Sequence, residues 1–114
     1  MDYKTIANDG IVEEEIKKSR FICHLKRISS EEEGRECIAQ IKKEHHKANH
    51  SCSAMIVGDD GQIKRSSDDG EPSGTAGVPM LTVLEKQGLT NVVAVVTRYF
   101  GGIKLGTGGL IRAY

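Results

Sequence analysis

Between residues 20 and 26, polar and apolar side chains alternate. Phe21, Cys23 and Leu25 stand against Arg20, His24 and Lys26. A period of two predicts a half-buried strand, drawn here from Arg20 to Ile28, with Ile22 as an exception on the polar side. Ile11 to Ile16 reads as its partner strand, joined to it near Lys17-Lys18-Ser19. The pattern then changes. Ser29-Ser30-Glu31-Glu32-Glu33 is a helix start in which Ser30 caps the free amides and Glu33 completes a capping box. Acids crowd the first turn, and Lys42, Lys43 and Lys47 follow at the end, as the helix dipole favours. Cys37, Ile38 and Ile41 give this helix a narrow apolar stripe.

Ser51 to Val57 reads as a strand, Gly58-Asp59-Asp60-Gly61 as a hairpin turn and Gln62 to Arg65 as a short return strand. A polar loop from Ser66 to Gly77 follows. Pro79 suits the first turn of a helix running to about Gln87, with Val78, Leu81, Val83 and Leu84 as core candidates and Gly88 as its terminator. The unbroken run Val92-Val93-Ala94-Val95-Val96 predicts a central strand, covered on both sides or on one side with a partner. Leu110 to Tyr114 begins another helix. One turn is not stable alone, so the chain is expected to stop before that helix ends. The order β-β-α-β-β-α-β-loop-α predicts an α+β fold, a two-layer α/β sandwich.

Composition narrows the class. The 114 residues fit one domain, and 38% hydrophobic with 28% charged residues is ordinary globular usage. With no Trp and 4% aromatic residues, the core must be aliphatic. Sixteen basic and sixteen acidic side chains cancel, which excludes a uniformly basic nucleic-acid-coating surface. The neutrality hides segregation. Residues 51–90 carry a local charge of −3, and residues 91–114 carry Arg98, Lys104 and Arg112 with no acid. The three cysteines contain no C-x-x-C pair, no N-terminal stretch resembles a signal peptide, and no apolar run approaches the ~20 residues of a membrane span. A reducing, cytoplasmic location is expected, with no membrane contact and no cofactor.

The glycines are uneven too: five of the 13 fall in one nine-residue window, Gly101, Gly102, Gly106, Gly108 and Gly109. Backbone amides in such a loop cradle an anion, and Arg98, Lys104 and Arg112 add charge. The loop is no P-loop, because Thr107-Gly108 stands where Lys-Ser/Thr is required, and no G-x-G-x-x-G, because Ile111 replaces the third glycine. The alternative is a tight strand-to-helix turn. Tyr99 and Phe100 beside it are core residues or a stacking platform.

A second candidate is the acidic loop, where Asp68, Asp69 and Glu71 fall within four residues. Such carboxylates bind a divalent cation, act as a general base, cap a helix, or brace the basic loop through Arg98, Lys104 or Arg112. Solvated turns and a helix cap are the favoured reading. His45, His46, His50 and Cys52 lack zinc-ligand spacing, and no metal is expected. His50 is a base, an RNA contact or a packed histidine.

These stretches resemble the IMPACT family, including its bacterial YigZ-like members. The likeness rests on Lys18-Ser19-Arg20-Phe21, on His50 with Cys52 and Ala54, on 67–77 (Ser-Asp-Asp-Gly-Glu-Pro-Ser-Gly-Thr-Ala-Gly) and on 95–114, from Val95 through Arg98-Tyr99-Phe100-Gly101-Gly102 to Tyr114. The resemblance implies a fold like the second domain of a small-subunit ribosomal protein and domain four of elongation factor G. It implies a link to translation. Eukaryotic members restrain a starvation-responsive kinase pathway, and bacterial ones are thought to contact nucleic acid or the ribosome. It also implies that residues 1–114 are an N-terminal domain whose ferredoxin-like companion is absent here.

Three functions remain. The first is a binding module that contacts RNA or a ribosome-associated factor through Arg98, Tyr99, Phe100, Gly101, Gly102, Lys104, Gly106, Thr107, Gly108, Gly109 and Arg112. The second is an enzyme acting on a phosphorylated substrate where the acidic and glycine-rich loops share a cleft. The third is a protein-interaction domain. The sequence leaves catalytic residues and oligomeric state open.

Overall fold

The structure, a computed structural model, describes residues 10–16, 18–70 and 74–100. Its elements run β1 (Gly10–Ile16), β2 (Ser19–Arg27), α1 (Glu31–Glu44), β3 (His50–Val57), β4 (Ile63–Ser67), α2 (Gly77–Lys86) and β5 (Val92–Tyr99). The five strands form one antiparallel sheet ordered β1-β2-β5-β3-β4. The helix expected from Leu110 and the early end of the chain lie outside the described residues.

The central position of β5 explains its unbroken apolar run. Val93 and Val95 point into a cluster with Met55, Val57, Cys37 and Ile41. Val92, Ala94 and Val96 point the other way, into a cluster with Ala54, Ile56, Met80 and Leu84. Because successive strand residues face opposite sides, α1 covers one face and α2 the other. The α+β class is as expected, and each helix makes its own α/β sandwich with the sheet. Both helices favour one half of it: α1 packs on β3 and β5, and α2 on β3 and β4.

Local chemistry sets the helix ends. Ser30 Oγ accepts from the Glu33 amide at 3.1 Å, as a capping box requires. The return leg lands one residue early, Glu33 Oε2 accepting from the amide and hydroxyl of Ser29. Helix α2 begins two residues before Pro79. The proline sits within the first turn, where its missing N–H breaks no intrahelical bond. Strands β4 and β5 outrun their apolar patterns. Ser66 and Ser67 pair with Ala54 and Ser53, and Thr97 to Tyr99 pair with β2, because the ladder bonds backbone and ignores side-chain polarity.

Candidate functional site at the β5 end of the sheet

The acidic loop joins β4 to α2, and its two described carboxylates do different work. Asp68 turns back onto the start of α2. Its Oδ1 accepts from the amides of Gly77 (2.8 Å) and Ala76 (3.1 Å), and its Oδ2 from that of Gly74 (3.0 Å). The Gly74 amide foremost, aided by those of Gly77 and Ala76 and opposed by burial, holds the Asp68 carboxyl below the ordinary carboxylate range. Residue 76 is alanine and offers no side-chain cap, so Asp68 supplies the anion that a helix N-terminus attracts.

Asp69 faces β3 and α1. With φ at 44°, it aims Oδ2 at the Ser51 amide (2.7 Å) and Oδ1 at Lys42 Nζ (3.2 Å). His50 Nδ1 donates to its carbonyl at 2.9 Å, and the Cys52 thiol donates to the Asp68 carbonyl at 3.1 Å. The helix-cap reading therefore describes Asp68. The partner found for Asp69 is Lys42 rather than Arg98. His50 is partly buried and hydrogen-bonded. Among the described residues, no group of three His, Cys, Asp or Glu side chains could hold a metal ion.

Arg98 lies directly across the ladder from both His50 and Phe21. It is 5% exposed. Its guanidinium carbon stands 5.6 Å from the Phe21 ring centre and 5.4 Å from that of Phe100, within cation–π range of both. Its Nη2 also donates to Ser19 Oγ at 3.4 Å. Phe100 is 46% exposed, and its amide donates to Asn49 Oδ1 at 2.7 Å. Arg98, His50, Phe100 and the start of the acidic loop thus gather at one corner, where β5 delivers the chain to its glycine-rich stretch. Glu71, Gly101, Gly102, Lys104, Gly106, Thr107, Gly108, Gly109 and Arg112 lie outside the described residues.

Tyr99 points to the opposite face. Its hydroxyl is hydrogen-bonded to His45 Nδ1 at 2.6 Å, and the Arg20 guanidinium stands 5.3 Å from its ring centre. The His45 ring in turn stands 5.6 Å from that of His24. His24 Nδ1 is buried and has no hydrogen-bond partner among the described residues. Burial first, then the proximity of His45, lowers the pKa of His24, with Glu44 opposing. No sequence pattern places Phe21, Asn49 or the His24–His45 pair at the site. His45 belongs to a histidine cluster visible in sequence, but His24 lies outside that cluster and Tyr99 lies more than 50 positions away from His45.

The His24 shift has a definite sign. The unfolded chain takes the proton more readily, so this stability is present above the ordinary histidine pKa and is lost as pH falls through and below it. Urea unfolding of His24→Gln at pH 7.5 and 5.5 should show a smaller loss on acidification than the parent protein. An equal loss in both would contradict the assignment.

Comparison with known proteins agrees with the fold. A sequence profile described as the Impact N-terminal domain matches residues 17–114. The IMPACT family member YvyE of Bacillus subtilis is 61% identical over 112 residues, covering 98% of this chain and 52% of that protein. A crystal structure of a hypothetical protein superposes with a TM-score of 0.92 at 48% identity, over 96% of this chain and 54% of that one. The two-domain translational regulator Yih1 superposes with a TM-score of 0.61 at 25% identity, over 98% of this chain and 46% of that one. The chain therefore spans about half the length of these relatives. Among the described residues no helix is long and apolar enough to cross a membrane. The chain belongs to the IMPACT family and corresponds to its N-terminal domain.

Proposed function

We propose that this domain is a translation-associated binding module that contacts RNA of the ribosome from the β5 corner. The observation that carries the reading is the half-exposed ring of Phe100, set against the buried Arg98 guanidinium at the entry to an acid-free basic stretch. Arg98 then acts as a prop that orients the ring, and Phe100 offers its open face to a base. Lys104, Arg112 and the amides of Gly101, Gly102, Gly106, Gly108 and Gly109 supply phosphate contacts. The likeness to Yih1, a translational regulator, supports the translation half of this reading. The enzyme alternative gains little from the loop's described carboxylates, because Asp68 and Asp69 are both engaged.

The test is fluorescence anisotropy with a labelled single-stranded RNA at low salt. Phe100→Ala should weaken binding by about 1–3 kcal/mol, the contribution of one base stack. A Lys104→Ala/Arg112→Ala variant should flatten the salt dependence, each lost phosphate contact removing close to one unit of slope. Saturable binding that ignores both variants, or no binding at all, defeats the proposal.

A further inference from the structure

We propose that the free edge of β1 and the groove beside it form a docking site for an extended peptide of a partner protein, basic at one end and apolar at the other. This site is separate from the β5 corner and does not depend on RNA binding there.

The groove follows from where α1 packs. Because α1 packs chiefly on β3 and β5, it stands beside the β1–β2 hairpin on that face rather than over it. Between α1 and the hairpin lies a cavity of about 530 Å³, walled by Ile11, Cys37 and Ile41, with His24, Lys26, Gln40 and Glu44 also lining it, so that the groove itself takes the apolar end of a ligand. This size and lining, apolar with a few polar groups, fall in the range of ligand pockets and leave room for more than one apolar side chain. Its outer wall is unusual. Strand β1 ends the sheet, and Ile11 and Val12, which face opposite sides of it, are 69% and 63% exposed. No other strand among the described residues pairs with its outer edge.

A strand added to that edge would bond backbone to backbone and place alternate side chains on each face. Residues beside Ile11 would enter the groove. Those beside Glu15 would meet a carboxylate on the same face, and those beside Glu13 one that Arg20 already holds at 2.9 Å; those beside Val12 and Glu14 would repeat the apolar-then-acidic pattern on the other. The edge reads Ile-Val-Glu-Glu-Glu. Its antiparallel complement is a basic run followed by an apolar pair, since opposite charges across a ladder attract and like charges repel. The same acids disfavour a second copy paired through its acidic end, where glutamates would stand against glutamates. Charged edge strands resist self-association in this way.

The probe is a fluorescein-labelled peptide, Thr-Lys-Lys-Lys-Val-Ile-Thr, titrated against the whole chain at low salt. We expect saturable binding, weakened about tenfold or more when Glu replaces each Lys in the peptide. N-methylation of alternate peptide amides should abolish binding by removing ladder donors. Glu14→Lys/Glu15→Lys in the protein should reverse the preference towards the Glu peptide, with circular dichroism verifying that the variant is folded. This charge swap distinguishes docking from a folding defect. Absence of saturable binding up to millimolar peptide, equal affinity for the N-methylated peptide, or a double variant with unchanged preference overturns the proposal. So does concentration-dependent dimerisation through β1 in sedimentation.

Discussion

Gly77→Val should lower the unfolding free energy by about 3 kcal/mol, the upper end for overpacking a tight site. A Cβ at position 77 would come within 2.8–2.9 Å of the backbone N, C and O of Ser67. Backbone cannot swing aside as a side-chain tip can. Ser67 is also fixed by its pairing with Ser53 in the β3–β4 ladder. The strain would therefore fall on α2, whose first amide is held by Asp68. Valine adds two γ carbons to the same collision, so Gly77→Ala should cost less, about 1–2 kcal/mol. Urea denaturation at neutral pH gives the ordering directly. A Gly77→Val midpoint equal to that of the parent protein would mean that α2 does not approach β4 so closely.

Asp68→Ala ranks second. It removes one carboxylate and leaves three amides at the start of α2 without their acceptor. Loss of a capping acceptor costs about 0.5–2 kcal/mol, and loss of bonds to a charged group brings the expectation to about 2 kcal/mol. Asp68→Asn should be milder, because one acceptor oxygen survives. The pH dependence separates this mechanism from simple packing loss. The native carboxyl titrates below its ordinary range, so its contribution is present above the unfolded carboxyl pKa and disappears as pH falls through the lowered native value. Parent and Asp68→Ala stability curves should thus converge in acid and separate as pH rises towards neutrality. Parallel curves would show that the amides do not favour the charged form.

The two acids of this loop show how far sequence reading reaches. Asp68 and Asp69 are adjacent and chemically identical, yet one caps α2 and the other pins β3 to α1. Ser30 and Glu33 are legible as a cap because their partners lie within four residues. Asp68 reaches amides six to nine residues ahead across a loop, a span that no local pattern encodes. Arg98 is the same case over a longer distance. A cation near a strand end ordinarily reads as surface charge. Here Phe21 and Ser19, from the other end of the chain, meet it across the ladder and enclose it. The apolar run at Val92–Val96 is legible because burial on both faces leaves a signature in every residue. The polar ends of β4 and β5 are not, because ladder bonds leave none.

The sheet order also sets a schedule for folding. Strand β5 is last among the described strands, yet it sits between β2 and β3. The nascent chain can form its β1–β2 and β3–β4 hairpins early, since their turns are short. The two hairpins cannot join until Val92 to Tyr99 has left the ribosome and entered the gap between them. Until then the inner edges of β2 and β3 remain open, and the valines of both core clusters have no seat. Contacts this distant in sequence slow closure. The interval during synthesis in which this domain is exposed to misassociation is therefore set by a single strand.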